Sequence, residues 1–345
     1  MRNLLFLRPL SAGLLCAWLV GCADAEPAQS DEASAPVATS GAAHTSQHDT
    51  APLAQAAAPS DEGLECYKLL AHGGDYKSKY KVGAKKDAYF NFTFKAPWQG
   101  TVYGIIFRPI IDNKQVIHHW LLFQTPGTTA AGIAGSVGAH PAGALLSGWA
   151  PGGVTMDARE IAPGVSVGLE LPATNTYTVE FHYNSNDPNA LDASGVEICV
   201  QRERPKEIAG LAWLGWDQLG APAAKWTGTC RPRVQQPIQI LGVVPHMHKT
   251  GTHMKATINR KDGTKEILHD KPFDFNYQIQ YNVSKTINPG DTITTECSFA
   301  KPMAFGTGTD AEMCYLFTIS YPKNSLSDGG LWGTLAHGAG ACLGQ

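Results

Sequence analysis

From residue 64 onward the chain is a series of short runs in which apolar and polar side chains alternate, and a period of two admits strands and little else. Thr176 to Tyr183 reads TYTVEFHY, which places Tyr177, Val179, Phe181 and Tyr183 on one face and Thr178, Glu180 and His182 on the other. Similar runs recur at 101–107, 116–123, 165–171, 238–244, 292–299 and 314–321. Turn signals separate them, among them Asp262-Gly263, Pro289-Gly290 and Pro151-Gly152-Gly153. No sustained 3.6-residue period and no internal repeat is present. The 36 Gly and 22 Pro, with only 17% charged residues, fit turn-rich sheet and argue against coiled coils. A length of 345 residues suggests two domains, so the expected fold is all-β: two tandem β-sandwich, jelly-roll-like domains. The polar patch Gln201-Arg202-Glu203-Arg204-Pro205-Lys206 is the expected seam, giving domains over 64–205 and 206–345.

The first 22 residues read as an address. Arg2 opens them, an apolar run from Leu10 to Val20 follows, and Leu19-Val20-Gly21-Cys22 has the form of a bacterial lipoprotein cleavage site. Cys22 is then the lipid-bearing residue, and the expected location is the bacterial cell envelope, lipid-anchored and facing the periplasm or the surface. Residues 23–63 turn to Ala, Ser, Pro, Thr and Gln, too poor in apolar area to offset the entropy of ordering, and read as a tether. His44 and His48 lie within it without preorganisation. Loss of Arg2 and Arg8 with the leader takes the formal charge from −3 to −5. That balance offers nothing with which to neutralise a phosphate backbone, so nucleic-acid binding by a charged face is excluded.

With Cys16 in the leader and Cys22 lipidated, six cysteines remain: Cys66, Cys199, Cys230, Cys297, Cys314 and Cys342. An even number in an exported chain predicts three disulfides, of which sequence alone leaves the pairing open. The histidines carry more information. His118 and His119, then His182, then His246 and His248 sit inside strand-like apolar runs, where an unpaired imidazole is costly to bury. One such residue ordinarily hydrogen-bonds a neighbour; five in three clusters point to metal. In Pro245-His246-Met247-His248 the spacing of two points both rings to one side of a strand. In Ile117-His118-His119-Trp120 an ideal strand splits the adjacent rings, so sharing an ion requires a bulge, a strand end or a twisted rotamer. His182 can complete that set from a neighbouring strand. For the second pair His253, Met254 and Met313 are candidates, and a thioether beside two imidazoles favours copper.

At these residues the chain resembles the copper type II, ascorbate-dependent monooxygenases. His118-His119, His182-Tyr183, the H-x-H of His246 and His248, and Met313-Cys314 match that family in order and spacing, as does the Gly148-Trp149-Ala150-Pro151-Gly152 segment between the first two. The resemblance covers residues 64–345. It implies that His118, His119 and His182 hold an electron-transfer copper in the first domain. It likewise implies that His246, His248 and Met313 hold an oxygen-binding copper in the second, with the two sandwiches facing each other across a cleft. It further implies the pairings Cys66 with Cys199, Cys230 with Cys342, and Cys297 with Cys314.

The activity so implied is hydroxylation of a C–H bond of a small organic substrate by O2, with ascorbate or another one-electron donor supplying electrons. Peptide-processing members carry an Arg two residues before H-x-H and Asn and Tyr just after Met-Cys. Here Val244, Tyr315 and Phe317 occupy those positions, which removes the cation a carboxylate substrate needs. Glu180, on the His182 face, is a candidate partner for a substrate amine or a carboxylate that orients an imidazole. Three rival readings use the same residues. A non-catalytic copper-binding or copper-delivery lipoprotein would bind metal without consuming oxygen. A zinc hydrolase on His118, His119 and His182 would need no reductant, and purely structural histidines would be indifferent to metal removal.

Overall fold

The computed structural model describes residues 61–127, 130–136, 140–216, 220–233, 235–327 and 341–343. The leader, Cys22 and the tether with His44 and His48 fall outside the described residues. Among those described, no helix is long and apolar enough to cross a membrane.

The chain forms an all-β double sandwich. In the first half, a five-stranded sheet runs in the order Gly132–Ser136, Lys85–Lys95, Thr176–Ser185, Ile117–Thr125, Ala144–Trp149. It packs on part of a ten-stranded sheet, and Phe92 and Phe181 from one layer meet Ile106, Leu169 and Ile198 from the other in a single core. In the second half, a four-stranded sheet in the order Ala223–Cys230, Thr292–Met303, Gly251–Asn259, Lys265–Pro272 covers the rest of the long sheet. Trp226, Met254 and Ile293 there meet Leu214, Ile240 and Leu316. Each such side chain, moved from water into the core, contributes about 1.5–3 kcal/mol.

The long sheet continues from one sandwich into the other. The Glu207–Gly215 strand begins beside Val167–Leu169, in parallel, at Glu207 to Ala209. From Gly210 to Gly215 the same strand pairs antiparallel with Tyr315–Ser320. Residues 202–206 therefore lead from the end of the Gly195–Gln201 strand directly into a strand that both sandwiches share.

Among the described residues three disulfides are present, Cys66–Cys199, Cys230–Cys342 and Cys297–Cys314, the pairing the family resemblance implies. The first joins directly opposed residues of adjacent strands. The last fixes the residue that follows Met313 to the Thr292–Met303 strand.

The Thr176–Ser185 strand departs from a simple inside-outside alternation. Its apolar face fills the core as expected, but Thr178, Glu180 and His182 on the other face are buried as well. Burial is tolerable because each has a partner: Thr93 for Thr178, His140 for Glu180, Asp87 for His182. The second face is polar because it lines a site instead of solvent.

Gly215 ends the shared strand with φ of 147°, and a Cβ there would run into the Cys314 carbonyl oxygen. Gly215→Ala is expected to lower unfolding stability by more than about 1 kcal/mol, read from denaturant melts. An unchanged midpoint would mean that this junction is not tightly packed.

Candidate metal centre

The first histidine cluster is produced by a fault in strand register. His182 lies opposite His119, but the next rung joins Tyr183 to Ile117, so His118 is the extra residue of a β-bulge. The bulge brings the His118 ring to the side of His119, with their Nδ1 atoms 3.0 Å apart. Ligand nitrogens of His118, His119 and His182 all lie within 4.8 Å of one another. Two facing lone pairs at 3.0 Å repel unless a proton or a cation lies between them. His182 turns Nε2 to the Asp87 carboxylate at 3.2 Å; a carboxylate only accepts, so the proton sits on Nε2. Its Nδ1 keeps a lone pair and is buried with no hydrogen-bond partner. Asp87 itself has φ of 46°, a strained conformation for Asp inside a strand, and Thr309 also donates to it at 2.9 Å.

The second cluster sits where the Ile238–His246 strand ends. His246 pairs with Tyr315, Met247 enters the second core, and His248 opens the following turn. His246 Nδ1 donates to Gln278 Oε1 at 2.8 Å, while Gln278 Nε2 donates to the Phe275 carbonyl, which fixes the orientation of the amide. His248 Nδ1 donates to the Ala311 carbonyl at 3.0 Å, leaving Nε2 buried and unpartnered. Glu312, fully buried, accepts from the His248 and Thr250 backbone N–H groups and the Thr250 hydroxyl, each at 2.7 Å. It thereby clamps the H-x-H turn to the residue before Met313. Met313 is buried and lines a small cavity with His119, His246, His248 and Phe317. Of the other third-ligand candidates, Met254 lies in the second core, and His253 is half-exposed on Asp270 at 3.1 Å.

The two clusters adjoin. The His119 and His246 rings are 5.9 Å apart between centroids. One segment of the second sandwich touches both: Phe275 stacks on the His118 ring at 4.4 Å, and Gln278, three residues on, holds His246. The Gln278 N–H also donates to the carbonyl of Pro151, in the segment after Trp149. Phe317 faces the cavity, whereas Tyr315 is buried against Trp213 and Phe317. Glu180 is 1% exposed and bonded to His140 at 2.6 Å, and it is His140 that reaches the small cavity beside Met313. Sequence reasoning did not find Asp87, His140, Phe275, Gln278 or Glu312. Only Glu312 carried a local signal, as an acidic residue directly before Met313.

These nitrogens suit a soft or borderline cation: neutral imidazoles with free lone pairs, joined by a thioether. Burial holds them neutral. It lowers His118 and His248 to about 4 and His182 and His246 to about 3, and it pushes His119 well below the ordinary imidazole value. Neighbouring imidazoles add to the effect at His119 and His182. In the unfolded chain these groups titrate near 6.5, so below that pH the unfolded state takes up protons that the folded state refuses. Stability of the metal-free protein is therefore expected to fall from pH 6.5 to pH 5, by up to about 1.4 kcal/mol per pH unit for each such histidine. Thermal melts across that range test this; a melting temperature that does not move would contradict neutral, buried rings.

Comparison with known proteins covers the second cluster. Residues 219–328 match the model of the copper type II ascorbate-dependent monooxygenase, C-terminal domain. Human DBH-like monooxygenase protein 2 is 28% identical over 250 residues, covering 63% of this chain and 49% of its own. Human DBH-like monooxygenase protein 1 is 27% identical over 283 residues, covering 70% and 46%. The chain thus spans about half the length of these curated relatives. Among solved structures, the major capsid protein P2 from bacteriophage PM2 gives a TM-score of 0.32 at 10% identity, over 74% of this chain and 97% of that chain. That likeness is too weak to carry an argument. The 219–328 match holds His246, His248 and Met313, and 283 aligned residues exceed the second sandwich and run into the first. On these grounds the chain resembles the copper type II, ascorbate-dependent monooxygenases, with the family-model match lying in its second half.

Proposed function

We propose that this chain hydroxylates a C–H bond of a small organic substrate, with two copper ions, O2 and a one-electron donor such as ascorbate. His118, His119 and His182 hold one ion; His246, His248 and Met313 hold the other. The observation that carries this reading is the convergence of unpaired, buried imidazole nitrogens in two adjoining clusters, the second beside a buried thioether. When bound, copper at each cluster supplies one-electron redox chemistry toward O2.

The protein's own work is to hold and to shield. Asp87 fixes the tautomer of His182, as Ala311 and Gln278 fix those of His248 and His246, so that a lone pair faces inward in each case. The Cys297–Cys314 bond anchors the chain beside Met313. Phe275 covers one face of His118 and keeps water from it. The overall reaction takes R–H, O2, two electrons and two protons to R–OH and water, the donor supplying the electrons. A peptide carboxylate has no cation to meet, since Val244 stands on the wall and Tyr315 is buried behind it. Lipid anchoring through Cys22 at a bacterial envelope belongs to the same proposal.

The test is metal content and oxygen uptake of the folded chain beside a Met313→Ala variant. Two coppers per chain are expected. In the variant the first cluster keeps its ion, while reductant-dependent oxygen uptake falls by at least about tenfold. Two coppers with no oxygen uptake would favour copper storage or delivery; one metal, or zinc retained over copper, would overturn the proposal.

A further inference from the structure

The cleft beside His119 and His246 opens into a cavity of about 700 Å³, its open mouth included. Its wall is largely apolar, with Leu121, Leu145, Leu211, Val244, Phe317 and Ile319 among its side chains. Among the described residues no Asp, Glu, Lys or Arg lines it. An ion entering such a space gives up hydration and finds no counter-charge to replace it. The nearest buried acid, Glu180, stands outside the lining and is held by His140.

The polar groups that do line the cavity are few and largely committed. Gln278 spends its amide oxygen on His246 and its amide nitrogen on Phe275. Gln280 spends its amide nitrogen on Asn282. Ser147 differs: it lies in the Ala144–Trp149 strand, is 4% exposed, lines the cavity, and its hydroxyl makes no hydrogen bond among the described residues. Its oxygen opens onto the cavity, where it can donate to or accept from a ligand.

We infer that the substrate is an uncharged, largely apolar molecule carrying one hydrogen-bonding group, a hydroxyl or a carbonyl, which meets Ser147. The inference rests on the reading of the site as a hydroxylase for its chemistry, but the apolar side chains and Ser147 that select the ligand are present in the metal-free protein as well. Its apolar body lies against Leu211, Val244 and Phe317, close to His246. Both charged alternatives, an amine or a carboxylate on the same frame, meet no side-chain counter-ion on this wall in the metal-free protein.

The experiment compares 2-phenylethanol, 2-phenylethylamine, phenylacetate and ethylbenzene at pH 7 by titration calorimetry, on metal-free and on copper-loaded full-length protein. The alcohol is expected to bind at least about tenfold tighter than either ion in the metal-free protein, and than the amine in both forms. Ser147→Ala brings the alcohol down to the affinity of ethylbenzene and leaves ethylbenzene unchanged. Val244→Arg, at a partly exposed position on the wall, raises the affinity for phenylacetate. An amine or carboxylate that binds the metal-free protein as tightly as the alcohol, or an alcohol preference that survives Ser147→Ala, overturns the inference. Neutral selectivity that persists in a protein found to bind no copper would leave this inference standing while the hydroxylase reading fails.

Discussion

The arrangement of the site depends on one strand. Glu207–Gly215 hydrogen-bonds to the first sandwich through Glu207 to Ala209 and to the second through Gly210 to Gly215. A flexible linker at this point would leave the two histidine clusters to find each other by diffusion of two bodies. A continuous sheet instead fixes their separation with backbone hydrogen bonds and core packing, which are stiff and cooperative. The adjacency of His119 and His246 is thus a property of the fold and does not wait for a ligand to impose it.

Each cluster is also completed by the half of the molecule that does not carry it. The first sandwich supplies His118, but Phe275 of the second lies on its ring. His182 is oriented by Asp87, and Asp87 in turn is held by Thr309 from the second. Conversely, Gln278, which orients His246, is tied by its backbone to Pro151 of the first. Tyr89 adds a further link, donating to the Thr307 carbonyl while stacked on His182. Each histidine cluster is therefore tied to side chains of both halves.

Much of this was legible in the sequence, and the limits have physical causes. A period of two is a local property, so strands such as Thr176–Ser185 could be read directly. The clustered histidines were legible because polar rings in apolar runs break the pattern. The bulge at His118 was not, because register is a relation between strands and leaves no mark on one of them. Sequence reasoning could say only that such a device was required. Asp87, Phe275 and Gln278 were illegible for a similar reason: each reaches its imidazole from a distant part of the chain, and an Asp, a Phe or a Gln alone is ordinary. The burial of Glu180 was hidden because alternation shows which face a residue occupies and not what covers that face.

The shared strand also bears on the segment matched to the family model, residues 219–328. Cut at those limits, Tyr315–Tyr321 would lose Gly210–Gly215 as a neighbour, and Cys230 would lose Cys342. What remained would carry a long, apolar, unpaired sheet edge, a template on which further copies can add strand by strand. In this chain the segment matched by the family model is thus smaller than the unit that pairs its own sheet edges, and the short parallel pairing of Ala341–Leu343 with Trp213–Gly215 helps to close the edge between them.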